Sequence, residues 1–409
     1  LSQWVERCLL MVHLIGESMA VLADFAPRGG SMFYGSRERS AVPPWPGAAL
    51  PDDADFGPSG ARRELHIGLC VPMGGLTGIW GPSALASAKL ATAELNRRSG
   101  IGGRSCRLVL VNGDDDAPML ENVLTGLVHS GEVDALVGMH TSHVRQRVVR
   151  AIGGQIPFVY TPLYEGGECT PGVFAIGDTP DRQLQPAIAW MTQRERPKRW
   201  ALLGNDYVWP HVSNRLARGY IAQCGGQVVS EQYVPLHTTD YSAQLAALRA
   251  AGADAVLLSL VGEDAIAFNR AFGERRMAKA MLRLSCAIEE NELLAIGAES
   301  TERLYVASSY FAALTTDANL AFKERYHNHF GERAPTLNSL GQSTYEGVHF
   351  LASLFERGLC ERSQWGRISE RSLTYCSARE GRYSGQGTSL APVYMAVADG
   401  HVFRVIDRL

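Results

Sequence analysis

Lysine is nearly missing from this 409-residue chain: it occurs only at Lys89, Lys198, Lys279 and Lys323, and none of them follows a glycine. The phosphate-cradling loop G-x-x-x-x-G-K-[ST] is therefore absent, and P-loop nucleotide chemistry with it. The other 35 basic residues are arginines, scattered rather than clustered, and the formal charge is −3. A chain with that balance offers polyanions no electrostatic footing, so direct nucleic-acid binding is disfavoured. No run of 18 or more apolar residues exists, which argues against a membrane span. The eight cysteines, Cys8, Cys70, Cys106, Cys169, Cys224, Cys286, Cys360 and Cys376, form no C-x-x-C pair and no zinc-type spacing with histidine. They read as small apolar residues with reduced thiols, the cytosolic pattern, ahead of a disulfide framework. Catalytic signatures are also missing: no G-x-S-x-G elbow, no H-E-x-x-H and no kinase set. These absences shift the expectation from enzyme to binding protein, with no cofactor and no metal.

The length suits two α/β lobes better than one core. Residues 26–63 collect Pro27, Gly29, Gly30, Pro43, Pro44, Pro46, Pro51 and Pro58, the composition of an extended linker, and residues 1–63 are left without a role. An apolar stretch over residues 8–15 follows Glu6 and precedes Glu17, which makes a weak secretory signal. From Glu64 onward, short β-branched runs alternate with amphipathic stretches, the pattern of βαβ units and parallel sheet. One series has strands at 65–70, 107–111, 135–139 and 158–160, with helices at 83–96, at 117–130 and from Ser142. A second has strands at 200–203, 227–233, 255–260 and 282–285, with a helix carrying Pro210 in its first turn and others at 241–251 and 264–272. The expected fold class is α/β, two doubly wound Rossmann-like lobes joined by crossover segments. After a strand at 304–307, helical stretches near 319–329 and 345–357 are expected to return to the first lobe, and strands at 393–397 and 402–406 to close the second.

Ligands of open parallel sheets bind beyond the carboxyl ends of the strands, where helix N-termini present free N–H groups. These strands run into residues 72–80, His140-Thr141-Ser142, Tyr160-Thr161-Pro162, Gly204-Asn205-Asp206-Tyr207 and Val261-Gly262-Glu263. Hydroxyls, amides and aromatics with few charges suit a small neutral polar ligand. Ser142 can serve a ligand oxygen with its hydroxyl and a helix N–H, or can simply cap the helix. Tyr160, Tyr164 and Tyr207 either line the cleft or are half-buried core tyrosines. His140 and His143 lie three apart, but no third residue completes a metal set. Asp114-Asp115-Asp116 reads as a turn before a helix, Glu289, Glu290 and Glu292 as a helix start, and residues 74–81 as a flexible loop on the ligand side.

The order and spacing of His66-Ile67-Gly68-Leu69, Ala93-Glu94-Leu95-Asn96, Gly100-Ile101-Gly102-Gly103-Arg104, Leu136-Val137-Gly138 before Ser142-His143, Tyr164-Glu165-Gly166, Asp206-Tyr207-Val208-Trp209-Pro210 and Gly225-Gly226 resemble the amide and urea branch of the type I periplasmic binding proteins, the sensors of aliphatic amidase operons in particular. The resemblance implies a two-lobe clamp that binds without catalysing a reaction. It carries ligand contact to Ser142, to His140 and Thr141 beside it, to Tyr160, Thr161 and Pro162, and to Tyr207. It also implies lobes of 64–182 with 311–368, and of 183–310 with 369–409. His140 stands where the sensors carry an aromatic residue, and Ala287 and Ile288 stand where they carry threonines, which puts acetamide itself in doubt. The expected function is a cytoplasmic sensor of a short amide or urea-like compound, acting on a transcriptional regulator or antiterminator, with room for a homo-oligomer. The alternative is the exported binding component of an ABC permease for amides, urea or branched-chain amino acids. An amino acid ligand would need a carboxylate facing its ammonium, and Glu263, Asp264, Glu289 or Glu290 can supply one.

Overall fold

Alternation along the strands buries both faces of two parallel sheets. In β6 (Arg199–Asn205), Trp200 and Leu202 join the core on one face while Ala201 and Leu203 join the core on the other. A strand buried on both sides must be apolar throughout, so these strands read as continuous runs. The computed structural model describes residues 64–409 apart from 115, 116, 118, 366–372, 376 and 385–387. The expected linker, Asp115, Asp116, Cys8 and Cys376 lie outside the described residues.

The first sheet holds β1 (Glu64–Val71), β2 (Ser105–Asn112), β3 (Ala135–Gly138), β4 (Phe158–Tyr160) and β5 (Val173–Ala175) in the order β2-β1-β3-β4-β5, all parallel. Its helices are α1 (Gly81–Arg97), α2 (Leu120–His129) and α3 (Ser142–Ile152). The second sheet begins after α4 (Pro180–Arg194) with β6, then α5 (Val208–Gln223), β7 (Gln227–Val234), α6 (Ser242–Ala250), β8 (Ala255–Ser259), α7 (Gly262–Glu274), β9 (Leu282–Ser285), the short α8 (Glu290–Ile296) and β10 (Leu304–Ser308). The chain then returns to the first sheet: α9 (Asp317–Phe330) leads into α10 (Ser339–Glu356), whose residues from Leu340 to Leu354 are all buried. A helix buried around its whole circumference needs neighbours on every side, and α10 finds them in α1, β3 and β4. A small sheet of β11 (Leu373–Thr374), β12 (Arg382–Ser384) and β13 (Thr388–Ser389) follows, and then β14 (Tyr394–Asp399) and β15 (Val402–Arg408) close the second sheet as an antiparallel hairpin.

Each sheet reverses its strand order beside its first strand, between β1 and β3 in one and between β6 and β8 in the other. Those reversals open a crevice at the carboxyl ends of the strands. The β5 strand and α4 were not expected from the sequence: three residues are too short for a period to show, and α4 carries Pro186 in its interior.

The chain passes between the sheets three times, and one side chain ties the three passages. The buried Arg379 guanidinium, on the last passage, donates to Glu346 on α10 at 2.7 and 3.1 Å and to Ser309 Oγ, after β10, at 2.7 Å. It lies 3.9 Å from Asp178, on the first passage, and Ser309 Oγ donates to the same Asp178 oxygen. Removing one member of a buried ionic set strands the others without water. We therefore expect Arg379→Met to destabilise the fold by about 3–5 kcal/mol in urea unfolding, while Arg194→Met, at an exposed ion pair with Asp407, shifts it by no more than about 0.5 kcal/mol.

Candidate functional site

The residues following β1, β3 and β4 of one sheet and β6, β8 and β9 of the other converge on a single cavity. Trp80, His140, Thr141, Ser142, Tyr160 and Pro162 line it from the first lobe, and Tyr207, Val261, Ala287 and Glu289 from the second, with Leu340 of α10 at one edge. The two lobes are closed on it: the centre of a water-sized sphere sweeps about 20 Å³, space for about one water.

Six of the seven residues expected to contact a ligand line this cavity, and Thr161 does not. Thr161 is fully buried with its hydroxyl on the Gly138 carbonyl at 3.3 Å, and its methyl faces Gly347 of α10. Thr141 takes the N-cap position of α3 in extended conformation, without a capping bond from its side chain. Ser142 is thus the first helical residue and not the cap, and its buried Oγ has no hydrogen-bond partner. A serine hydroxyl beside the N–H groups of a helix's first turn donates with them to a ligand oxygen, most of all an anionic one.

His140 and Tyr160 serve the wall and not the opening. The imidazole packs against Phe158 and Tyr160, and a Cβ built at Gly138 would fall 2.6 Å from its Nε2, so the ring turns into the first lobe's core. Burial pushes its pKa down to about 3, which keeps it neutral, with Nδ1 3.2 Å from the Thr141 carbonyl. The Tyr160 hydroxyl donates to the His140 carbonyl at 2.7 Å, and its ring carries the Arg145 guanidinium 5.1 Å from its centre. Tyr164 lies under the same guanidinium, buried and outside the cavity. Arg145 is in turn paired with Glu165 at 2.6 Å and Glu168 at 3.1 Å, so this cation is spent inside the lobe.

Across the cleft, Tyr207 opens α5 and meets His143 of the first lobe edge-on at 5.2 Å, with Trp209 beside it at 6.3 Å. Of the four carboxylates that could face an ammonium, only Glu289 reaches the cavity. Asp264 accepts from Asn205 at 2.6 Å and from the His237 N–H, Glu290 accepts from the Ala312 N–H, and Glu263 is exposed. Lobe closure is held beside Glu289 by Trp80 Nε1 on Glu292 at 3.2 Å, the Ser339 N–H on Glu289 at 2.7 Å, and Asn338 on Asn291 at 3.0 Å. Leu76 adds its carbonyl to the Glu263 N–H at 3.0 Å, and Gly262, at φ +55°, leaves space there: a Cβ would come 2.1 Å from that oxygen. The expected flexible loop is therefore pinned, also by Asp114, which accepts from the Met73 and Gly74 N–H groups.

A family model described as periplasmic binding protein matches residues 64–364. The chain belongs to that family. Its fold is shared with a periplasmic binding protein from Burkholderia mallei, at 19% identity and TM-score 0.75 over 85% of this chain and 95% of that one. A solute-binding protein of an ABC transporter from Rhodopseudomonas palustris HaA2, solved with p-hydroxybenzoic acid, matches at 18% and 0.75 over 85% and 97%. The branched-chain amino acid transporter substrate-binding protein LivJ from Streptococcus pneumoniae, solved with isoleucine, matches at 16% and 0.67 over 85% and 99%. Periplasmic binding proteins are generally non-enzymatic ligand binders.

Membership overturns the cytoplasmic placement expected from the weak secretory signal and the scattered cysteines: the family is that of periplasmic binding proteins, which points to an exported protein. The physical reason is plain in the core. Among the described residues Cys70 and Cys286 are buried free thiols, and burial pushes the Cys70 thiol up to about 12 and raises Cys286 as well. A thiol that neither ionises nor meets a second thiol is inert in an oxidising compartment too, so its spacing carries no address. Among the described residues, no helix is long and apolar enough to cross a membrane, and no group of His, Cys, Asp or Glu is arranged to hold a metal.

Two buried glutamates, Glu289 and Glu292, and the half-buried Glu290 meet at the closure. Burial pushes Glu290 up to about 7 and Glu292 up to about 8, and Glu289 is raised by burial and by both neighbours. A raised carboxyl binds more protons folded than unfolded, so its stabilisation is complete below the unfolded value near 4.5 and is lost as pH rises towards 8. Above about pH 7 the opposing contribution of neutral His140 is constant. Stability should therefore fall from pH 7 to 8 by up to ~1.4 kcal/mol for Glu292, and Glu292→Gln should flatten that slope in urea titrations.

Proposed function

We propose that this periplasmic binding protein is the substrate-binding component of an ABC transporter and captures a small carboxylate, an apolar α-amino acid first among them. The observation that carries the reading is the facing of Ser142 and the α3 N-terminus by Glu289 across one cavity. The Ser142 hydroxyl and helix N–H groups donate to an anionic oxygen and the Glu289 carboxylate accepts from a cationic nitrogen, which matches the charge pattern of a zwitterion. Trp80, Tyr207, Trp209 and Leu340 supply the apolar wall that a side chain requires. An ammonium beside Glu289 would draw its carboxyl back to the ionised form, so that binding charges the site only when the partner charge is present. The bound, closed form would be what a permease distinguishes, since a partner can respond to the ligand only by preferring one lobe arrangement.

The neutral-ligand reading is weaker on the same ground. Ala287 brings no hydroxyl to the second lobe's wall, and Glu289 brings an ionisable carboxyl that an amide or urea does not need. Aromatic carboxylates such as the p-hydroxybenzoic acid of the Rhodopseudomonas relative would use Ser142 and the aromatic wall and would require Glu289 to stay protonated.

A thermal-shift series on the full chain with leucine, isoleucine, benzoate, 4-hydroxybenzoate, acetamide and urea tests this. Saturation at ~100 times the dissociation constant adds about 2.7 kcal/mol, a rise of a few degrees. We expect the amino acids to raise the melting temperature, Ser142→Ala to weaken them by about 1–3 kcal/mol, and Glu289→Gln to weaken them while sparing benzoate. A rise with acetamide or urea alone would sink the carboxylate reading.

A further inference from the structure

We propose that the ligand cavity continues into a second chamber inside the seven-stranded lobe, where Ser213 receives a polar group at the far end of the ligand. This rests on the carboxylate reading above and names the ligand class more narrowly: a carboxylate with an apolar body and one distal hydroxyl. The chamber lies between α4, α5 and β8, walled by Gln183, Leu184, Ser213, Leu257, Ser259 and Cys286. Leu163 and Trp209 line both it and the main cavity, and so form the partition. Its volume is about 10 Å³, swept by the centre of a water-sized sphere, which holds about one water or one hydroxyl.

Within this wall one fully buried hydroxyl is left without a partner, that of Ser213. Ser259 Oγ donates to Asn214 Oδ1 at 2.9 Å, and the Gln183 amide donates to Asp178 and to the Ala307 carbonyl at 3.5 and 3.4 Å. Buried hydroxyls like that of Ser213 are almost always satisfied, by protein, water or ligand. The Cys286 thiol beside it is held protonated by burial and offers only a weak contact.

The partition explains how a ligand would enter. Leu163 follows β4 of the first lobe, whereas Trp209 sits on α5 of the second. When the lobes part, the two walls separate and the chamber opens into the cleft; when they close around a bound molecule, the chamber encloses its end. Specificity then resides partly in a pocket that the first lobe touches only through Leu163.

Dissociation constants for two matched pairs, phenylalanine with tyrosine and benzoate with 4-hydroxybenzoate, test this on the full-length protein by calorimetry. In the wild type, the hydroxylated member of at least one pair is expected to bind about five- to tenfold more tightly, the worth of one buried hydrogen bond. Ser213→Ala should bring that ratio to about one, and Ser142→Ala should weaken both members and keep the ratio. Folding of each variant is checked by circular dichroism. Binding without discrimination in the wild type, or discrimination that survives Ser213→Ala, overturns the chamber and leaves the carboxylate reading standing. If no member of either pair binds, the carboxylate reading fails and the chamber fails with it.

Discussion

The clamp depends on a single buried cation. Arg379 reaches Glu346, Ser309 and, at longer range, Asp178, so one guanidinium touches all three passages of the chain between the sheets. Each passage alone would be a flexible connection. Bound to a common centre, they define one axis between the lobes, because a planar guanidinium holds its acceptors at fixed angles. Asp178 shows the cost: burial raises its pKa even with Arg379 nearby. Such a cluster contributes little net stability compared with apolar packing, and what it gives is a defined geometry.

A fixed axis makes the strand ends meaningful. Ser142 and Glu289 lie on different sheets, yet closure brings them to one cavity of about 20 Å³. Motion about any other axis would shear them past each other. The contacts that hold closure, Trp80 to Glu292 and Ser339 to Glu289, sit beside the cavity and not at the axis, where a small rotation produces the largest change. Binding and closure are thereby coupled through groups only a few residues from the ligand.

Much of this was legible in the sequence because strand ends are where period and chemistry coincide. His140, Thr141, Ser142, Tyr160, Pro162 and Tyr207 follow recognisable strands and do line the cavity. What they do there was less legible. The His140 ring turns into the core because Gly138 leaves space for it, and Thr161 faces α10 because β4 ends one residue earlier; both depend on tertiary neighbours. Leu163, Trp209 and Leu340 carried no signal, since an apolar residue in a loop or at a helix start looks alike whether it meets a ligand or a core. Glu289 was readable only as one of four carboxylates, and its place in the cavity wall, which the other three do not share, decides among them. The cysteines misled because compartment acts on exposed or paired thiols, and Cys70 and Cys286 are neither.

The unpaired groups give the closed state its logic. Ser142 Oγ and Ser213 Oγ are buried without partners, whereas Glu289, buried beside two further carboxyls, accepts from the Ser339 N–H. Each of the two hydroxyls lowers the stability of an empty closed clamp, since an unsatisfied buried hydroxyl costs about 1–3 kcal/mol. A molecule that satisfies them removes those penalties only when both lobes reach it, which for anything larger than the one water this cavity admits means a wider closure than the empty one. That difference between the two arrangements is what a ligand needs in order to shift the equilibrium, whereas tight contact with one lobe alone would move nothing. An empty clamp that is poorly satisfied when closed therefore reports its ligand better than one that closes well on its own.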